Sequence, residues 1–83
     1  MKFITLNGTQ IFPFDPAISH DKFFHTVAGR GDSCTGAGFI FLEEDRRPVC
    51  YGHSVSLDIS ATPRDTLLAE IVFMAARRRI AGM

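Results

Sequence analysis

The dipeptide Asn7-Gly8, set between the apolar runs 3–6 and 9–14, constrains this chain more than any other feature. Both residues tolerate the positive φ values of a two-residue type I′ turn, so the runs should fold back on each other as a β-hairpin. Pro13 lacks an amide donor, which places the end of the second strand at an edge or already leaving the sheet. Asp15-Pro16 then ends it.

From Ser19 the pattern becomes helical. Ser19 can cap, Asp21 suits a first turn, and Phe23, Phe24 and Val27 supply a short apolar face before Gly29 as the stop. Residues 29–38 are small or polar and read as an irregular loop, and Phe39 begins a strand that runs to Leu42. A charged turn, Glu43 to Pro48, leads into a regular alternation. Val49, Tyr51, His53, Val55, Leu57 and Ile59 stand at every second position, which predicts one long strand with a single buried face.

Thr62-Pro63-Arg64-Asp65 is a helix start, with Thr62 as N-cap, Pro63 at the first helical position and Asp65 close to a capping-box acid. The helix should run to about Ala81 and stop at Gly82, with Arg77, Arg78 and Arg79 near the negative end of its dipole. At about 100° per residue, Leu67, Leu68, Ile71, Val72, Met74 and Ala75 share a broad face, read as core. Phe73 and Ile80, flanked by Ala69 and Ala76, fall in another sector and remain as surplus apolar surface, the candidate interface. The summed expectation is a single α+β domain over residues 1–83. It is a two-layer sandwich in ββαββα order, its four-stranded, mostly antiparallel sheet carrying both helices on one face.

The chain has 83 residues, 46% hydrophobic, enough for one folded domain and no second. Nine Lys plus Arg balance nine Asp plus Glu, so no whole-molecule field steers it to nucleic acid or anionic lipid. Zero net charge and a small core favour self-association. Cys34 and Cys50 are too few for a disulfide framework and are read as reduced. The N-terminal stretch lacks a signal-peptide pattern, no apolar run is long enough to span a membrane, and the expected location is the cytoplasm.

Gly29 to Ser33 spells GRGDS, a pentapeptide recognised by integrins, yet without an export route Gly29 reads as a helix stop and Asp32 as a turn residue. Among His20, His25, His53, Cys34 and Cys50 no spacing anchors a tetrahedral metal, and neither thiol has a base at a recognisable spacing. His53, on the expected buried face, reads as a hydrogen-bonded core residue. The glycines from Gly29 to Gly38 lack the Lys-Ser/Thr of a phosphate loop.

Asp32-Ser33-Cys34, then Gly36 to Ile40, then Thr62 and Ala69-Glu70 on a helix look similar to parts of ribonuclease H-like folds. In that family an Asp on a strand and a Glu on a helix hold divalent metal for phosphodiester chemistry. The resemblance spans roughly residues 30–76 and implies Asp32 and Glu70 as a metal pair. The family's further carboxylates have no counterpart in the residues that follow. The leading expectation is therefore a non-catalytic homodimeric interaction or regulatory module without cofactor, using its apolar C-terminal helix. The alternative is a nucleic-acid-associated chain, either that degenerate fragment or a weak single-strand binder using Arg77, Arg78 and Arg79 with Phe73 as a stacking ring.

Overall fold

A computed structural model describes residues 1–81, with side chains as far as Ala75. It is α+β, with a four-stranded antiparallel sheet in the order β2-β1-β3-β4, built from β1 (Lys2–Leu6), β2 (Gln10–Phe14), β3 (Cys34–Leu42) and β4 (Pro48–Tyr51). Helix α1 (His20–Val27) joins β2 to β3. A two-stranded ladder, β5 (His53–Ser54) with β6 (Ile59–Ser60), precedes helix α2 (Pro63–Ala81).

The opening hairpin forms where expected. Asn7 and Gly8 take φ of 56° and 66°, and the Thr9 amide donates to the Leu6 carbonyl at 3.1 Å. Leu6 pairs with Gln10, so the loop holds Thr9 as well as the expected two residues. Pro13 lies on edge strand β2. Ser19 caps α1 by accepting the Lys22 amide at 3.1 Å. The helix ends one residue before the expected stop, with Ala28 extended and Gly29 outside the left-handed region.

The two helices lie on opposite faces of the sheet, not on one. Phe3, Ile11 and Ile40 pack with Leu68, Ala69 and Phe73 of α2, whereas Ile4, Leu6, Phe14 and Ala37 pack with Phe23, Phe24 and Val27 of α1. Phe3 and Ile4 are neighbours in β1 and must point to opposite sides. Central strand β1 is thus buried on both faces, and the connection from β2 to β3 has to cross it, which carries α1 over one face and leaves the other to α2.

The long strand expected over 49–59 is interrupted. β4 stops at Tyr51, Gly52 turns the chain with φ of 86°, and residues 55–58 form the turn of the β5–β6 ladder, with Asp58 at φ of 55°. The period-two pattern accordingly fails as burial. Tyr51 and His53 are exposed and Val55 is 88% exposed, while Leu57 and Ile59 reach the core only as partly buried side chains.

Helix α2 is turned differently from its apolar pattern. Asp65 and Ala69, each 1% exposed, face the sheet, and Phe73 is packed against the core. Leu67 is 60%, Ile71 64% and Met74 52% exposed, and Val72 is exposed as well. Polar contacts fix the rotation. The Thr62 amide and hydroxyl donate to Asp65 Oδ2 at 2.8 and 3.0 Å, the capping box read from sequence. Thr66 Oγ1 accepts the Cys50 amide at 3.0 Å. Asp65 lies directly over Gly36, where a side chain of any size would overlap the carboxylate.

Candidate functional site

Asp32 and Glu70 are not brought together. Asp32 precedes β3 and is tied to the hairpin turn, while Glu70 lines a cleft beside the β3–β4 turn, at the far end of that nine-residue strand. Much of that strand, at roughly 3.3 Å per residue, lies between them, beyond the reach of a shared cation. Among the described residues no group of three or more His, Cys, Asp or Glu could hold a metal ion.

Both oxygens of Asp32 are engaged. The Asn7 side-chain amide donates to Oδ1 at 2.9 Å, and the Gly29 amide to Oδ2 at 2.7 Å. These bonds, the Asn7 contact first, hold the carboxyl below its usual pKa range. Asn7 in turn accepts the Ser33 amide at 3.0 Å and its own amide donates to Ser33 carbonyl at 2.8 Å. The GRGDS segment is therefore bolted onto the first hairpin. Gly8 extends the junction, its amide donating to Thr35 Oγ1 at 2.9 Å and its carbonyl accepting from Arg64 Nε of α2.

The histidines are scattered. His20 is buried between Phe14 and Phe39, edge-on to both rings, with Nε2 2.8 Å from the Gly38 carbonyl oxygen. His25 is exposed and faces Asp21, one turn back. His53, expected inside, is on the surface, where Nδ1 is 2.8 Å from Ser60 Oγ and Nε2 is 3.3 Å from Asp58 Oδ1. That Ser–His–Asp connectivity was not legible in the sequence, because it depends on the chain reversal at 55–58. Asp58 is almost fully solvated, so its field on the imidazole is screened, and the trio acts as a clasp on the β5–β6 ladder.

Neither thiol is activated. Burial, followed by the Asp65 charge, pushes Cys50 up to about 11 against an opposing Thr66 hydrogen bond, and burial raises Cys34 as well. Both cysteines are free.

Among the described residues two surfaces stand out. One is the outward stripe of α2, Leu67, Ile71 and Met74. Of the interface expected at Phe73 and Ala69, Ala69 is buried in the core and Phe73 is half-buried against it, and Ala76 and Ile80 lie outside the residues whose side chains are described, as do Arg77, Arg78 and Arg79. The other is a cleft of about 350 Å³ between the β3–β4 turn and α2, with Arg46, Arg47 and Pro48 on one wall and Glu70, Phe73 and Met74 on the other. Asp45 stands at its rim. Among the described residues no helix is long and apolar enough to cross a membrane. Searches against protein-family models, curated proteins and solved structures find no match to this chain.

Proposed function

We propose that the chain is an interaction module that pairs with a second copy of itself through the outer face of α2, in a reducing compartment such as the cytoplasm. The observation that carries this reading is the spacing of the exposed stripe. Leu67, Ile71 and Met74 stand four and three residues apart, so turning the helix end for end about Ile71 lays Leu67 on Met74. A surface that matches its own reverse is what a two-fold, antiparallel helix pair needs. The sheet edges are poorly suited to the task. β4 carries Pro48, its Cys50 amide is taken by Thr66, and β2 carries Pro13. Zero net charge leaves the copies without mutual repulsion. Two free thiols fit the reducing compartment.

One helix stripe buries less than the standard ~800 Å² per partner, so the expected dimer is concentration-dependent. Sedimentation equilibrium should show monomer and dimer exchanging, with dimer retained in high salt. Ile71→Glu should give a folded monomer, and Phe73→Glu should instead unfold the protein by placing a charge in the core. A wild type that stays monomeric at millimolar concentration, or an Ile71→Glu dimer, would reject the proposal.

A further inference from the structure

The cleft between the β3–β4 turn and α2 has features that the pairing surface does not explain. The turn is closed by backbone bonds, Glu43 amide to Arg47 carbonyl at 3.0 Å and Arg46 amide to Glu43 carbonyl at 2.7 Å. Asp45 Oδ1 accepts the Arg47 amide at 2.9 Å, which stiffens it further. In a short hairpin loop closed in this way a residue in the left-handed region is normally glycine or asparagine. Arg46 occupies that region with φ of 64°. A long, charged residue kept in a disfavoured backbone region, on a rigid turn and lining a cavity, marks a place where the side chain is wanted more than the relaxed backbone.

The lining is chemically divided. Arg46 and Arg47 stand on one side together with Asp45, the Phe73 and Met74 side chains with Pro48 supply apolar surface, and Glu70 faces from the helix. Among the described residues neither the Arg46 guanidinium nor the Glu70 carboxylate has a hydrogen-bonded partner, and Arg47 has only a long contact of 3.9 Å with Asp45. A cavity of about 350 Å³ is of small-ligand size. Two guanidinium groups suit a phosphate, an aromatic and a thioether suit a flat ring, and the helix-borne Glu70 carboxylate suits an amine or hydroxyl donor.

We infer that this cleft binds a nucleoside monophosphate, free or as one unit of a single strand, with phosphate on Arg46 and Arg47, base against Phe73 and Met74, and a base amine or sugar hydroxyl on Glu70. The same chemistry serves both sources, and α2 continues past the cleft into Arg77, Arg78 and Arg79, a sequence suited to further phosphates. Leu67 and Ile71 of the pairing stripe lie outside the cleft and Met74 belongs to both, so Ile71→Glu tests pairing without touching the cleft.

The test is a heteronuclear NMR titration of the full chain with adenosine monophosphate, adenosine, inorganic phosphate and a single-stranded oligonucleotide. Amide shifts should map to residues 45–47 and 70–74, with the monophosphate bound at least tenfold more tightly than adenosine or phosphate alone. Arg46→Gly relieves the backbone, so it should raise the unfolding temperature while weakening monophosphate binding at least tenfold. An oligonucleotide bound a hundredfold more tightly per site supports a strand as the source, and equal affinity supports the free nucleotide. No shifts at millimolar monophosphate, phosphate bound as tightly as the monophosphate, or an Arg46→Gly protein with unchanged affinity would each overturn it.

Discussion

The two helices differ in what sets their rotation about their own axes. On α1 the apolar residues form most of the contact, beside buried His20 on the Gly38 carbonyl. Phe23 stacks on Phe14 with ring centroids 4.0 Å apart and nearly parallel planes, and Phe24 and Val27 join the same cluster, as their spacing implies. On α2 three polar groups decide. Asp65 is held by its own cap and seated over Gly36, Thr66 binds the Cys50 amide, and Arg64 reaches the Gly8 carbonyl. With the first turn fixed in that way, small Ala69 and then Phe73 come to the sheet one and two turns later, and Leu67, Ile71 and Met74 turn outward. Full burial of each such side chain is worth about 1.5–3 kcal/mol, so a few anchored hydrogen bonds have outweighed a wide apolar face, and a surface for a partner is the consequence.

This contrast predicts unequal responses to substitution. Gly36→Ala places a methyl group where the Asp65 carboxylate sits, so α2 must lift or its cap must open. The expected cost is about 3 kcal/mol, at the upper end of overpacking effects. Phe23→Ala on α1 removes a half-buried ring and should cost about 2 kcal/mol, below the range for a fully buried phenylalanine. Urea unfolding of both variants checks the order. If Gly36→Ala is the milder of the two, the seat of Asp65 does not govern α2.

The parts of the fold visible in the sequence are those with local causes. The Asn7-Gly8 turn, the Ser19 cap and the Thr62–Asp65 capping box each act within a few residues, and each forms. What escaped depends on distant partners. Gly36 gives no sign in sequence that a carboxylate 29 positions later will rest on it. The alternation from Val49 to Ile59 fits a strand, but Gly52 turns the chain out of the ladder although β3 itself runs on past Phe39, the partner of Tyr51, to Cys34. The run Phe3-Ile4-Thr5-Leu6 did carry a usable signal. Four consecutive buried residues mark a strand covered on both faces, which already requires helices on opposite sides. The Arg46 cleft had a sequence cue only in hindsight, since its left-handed backbone is invisible until the turn is seen.

The smallest expected effect concerns the same polar anchoring at one remove, where the loop of Asp32 grips the Asn7-Gly8 turn that Arg64 also contacts. The folded protein holds the Asp32 carboxyl below its ordinary pKa, near 3.9 in an unfolded chain. The unfolded state therefore takes up the proton first as pH falls. The stabilisation is complete above about pH 4 and is lost as pH drops through the folded value. Asp32→Asn cannot ionise, and its amide nitrogen would confront a donor at Asn7 or Gly29. Its urea midpoint should lie slightly below wild type at pH 6, and the two should converge as the pH falls through the folded value. Parallel curves over that interval would mean that the loop is held by Asn7 and Ser33 alone, and that the ionised carboxylate contributes nothing to the junction.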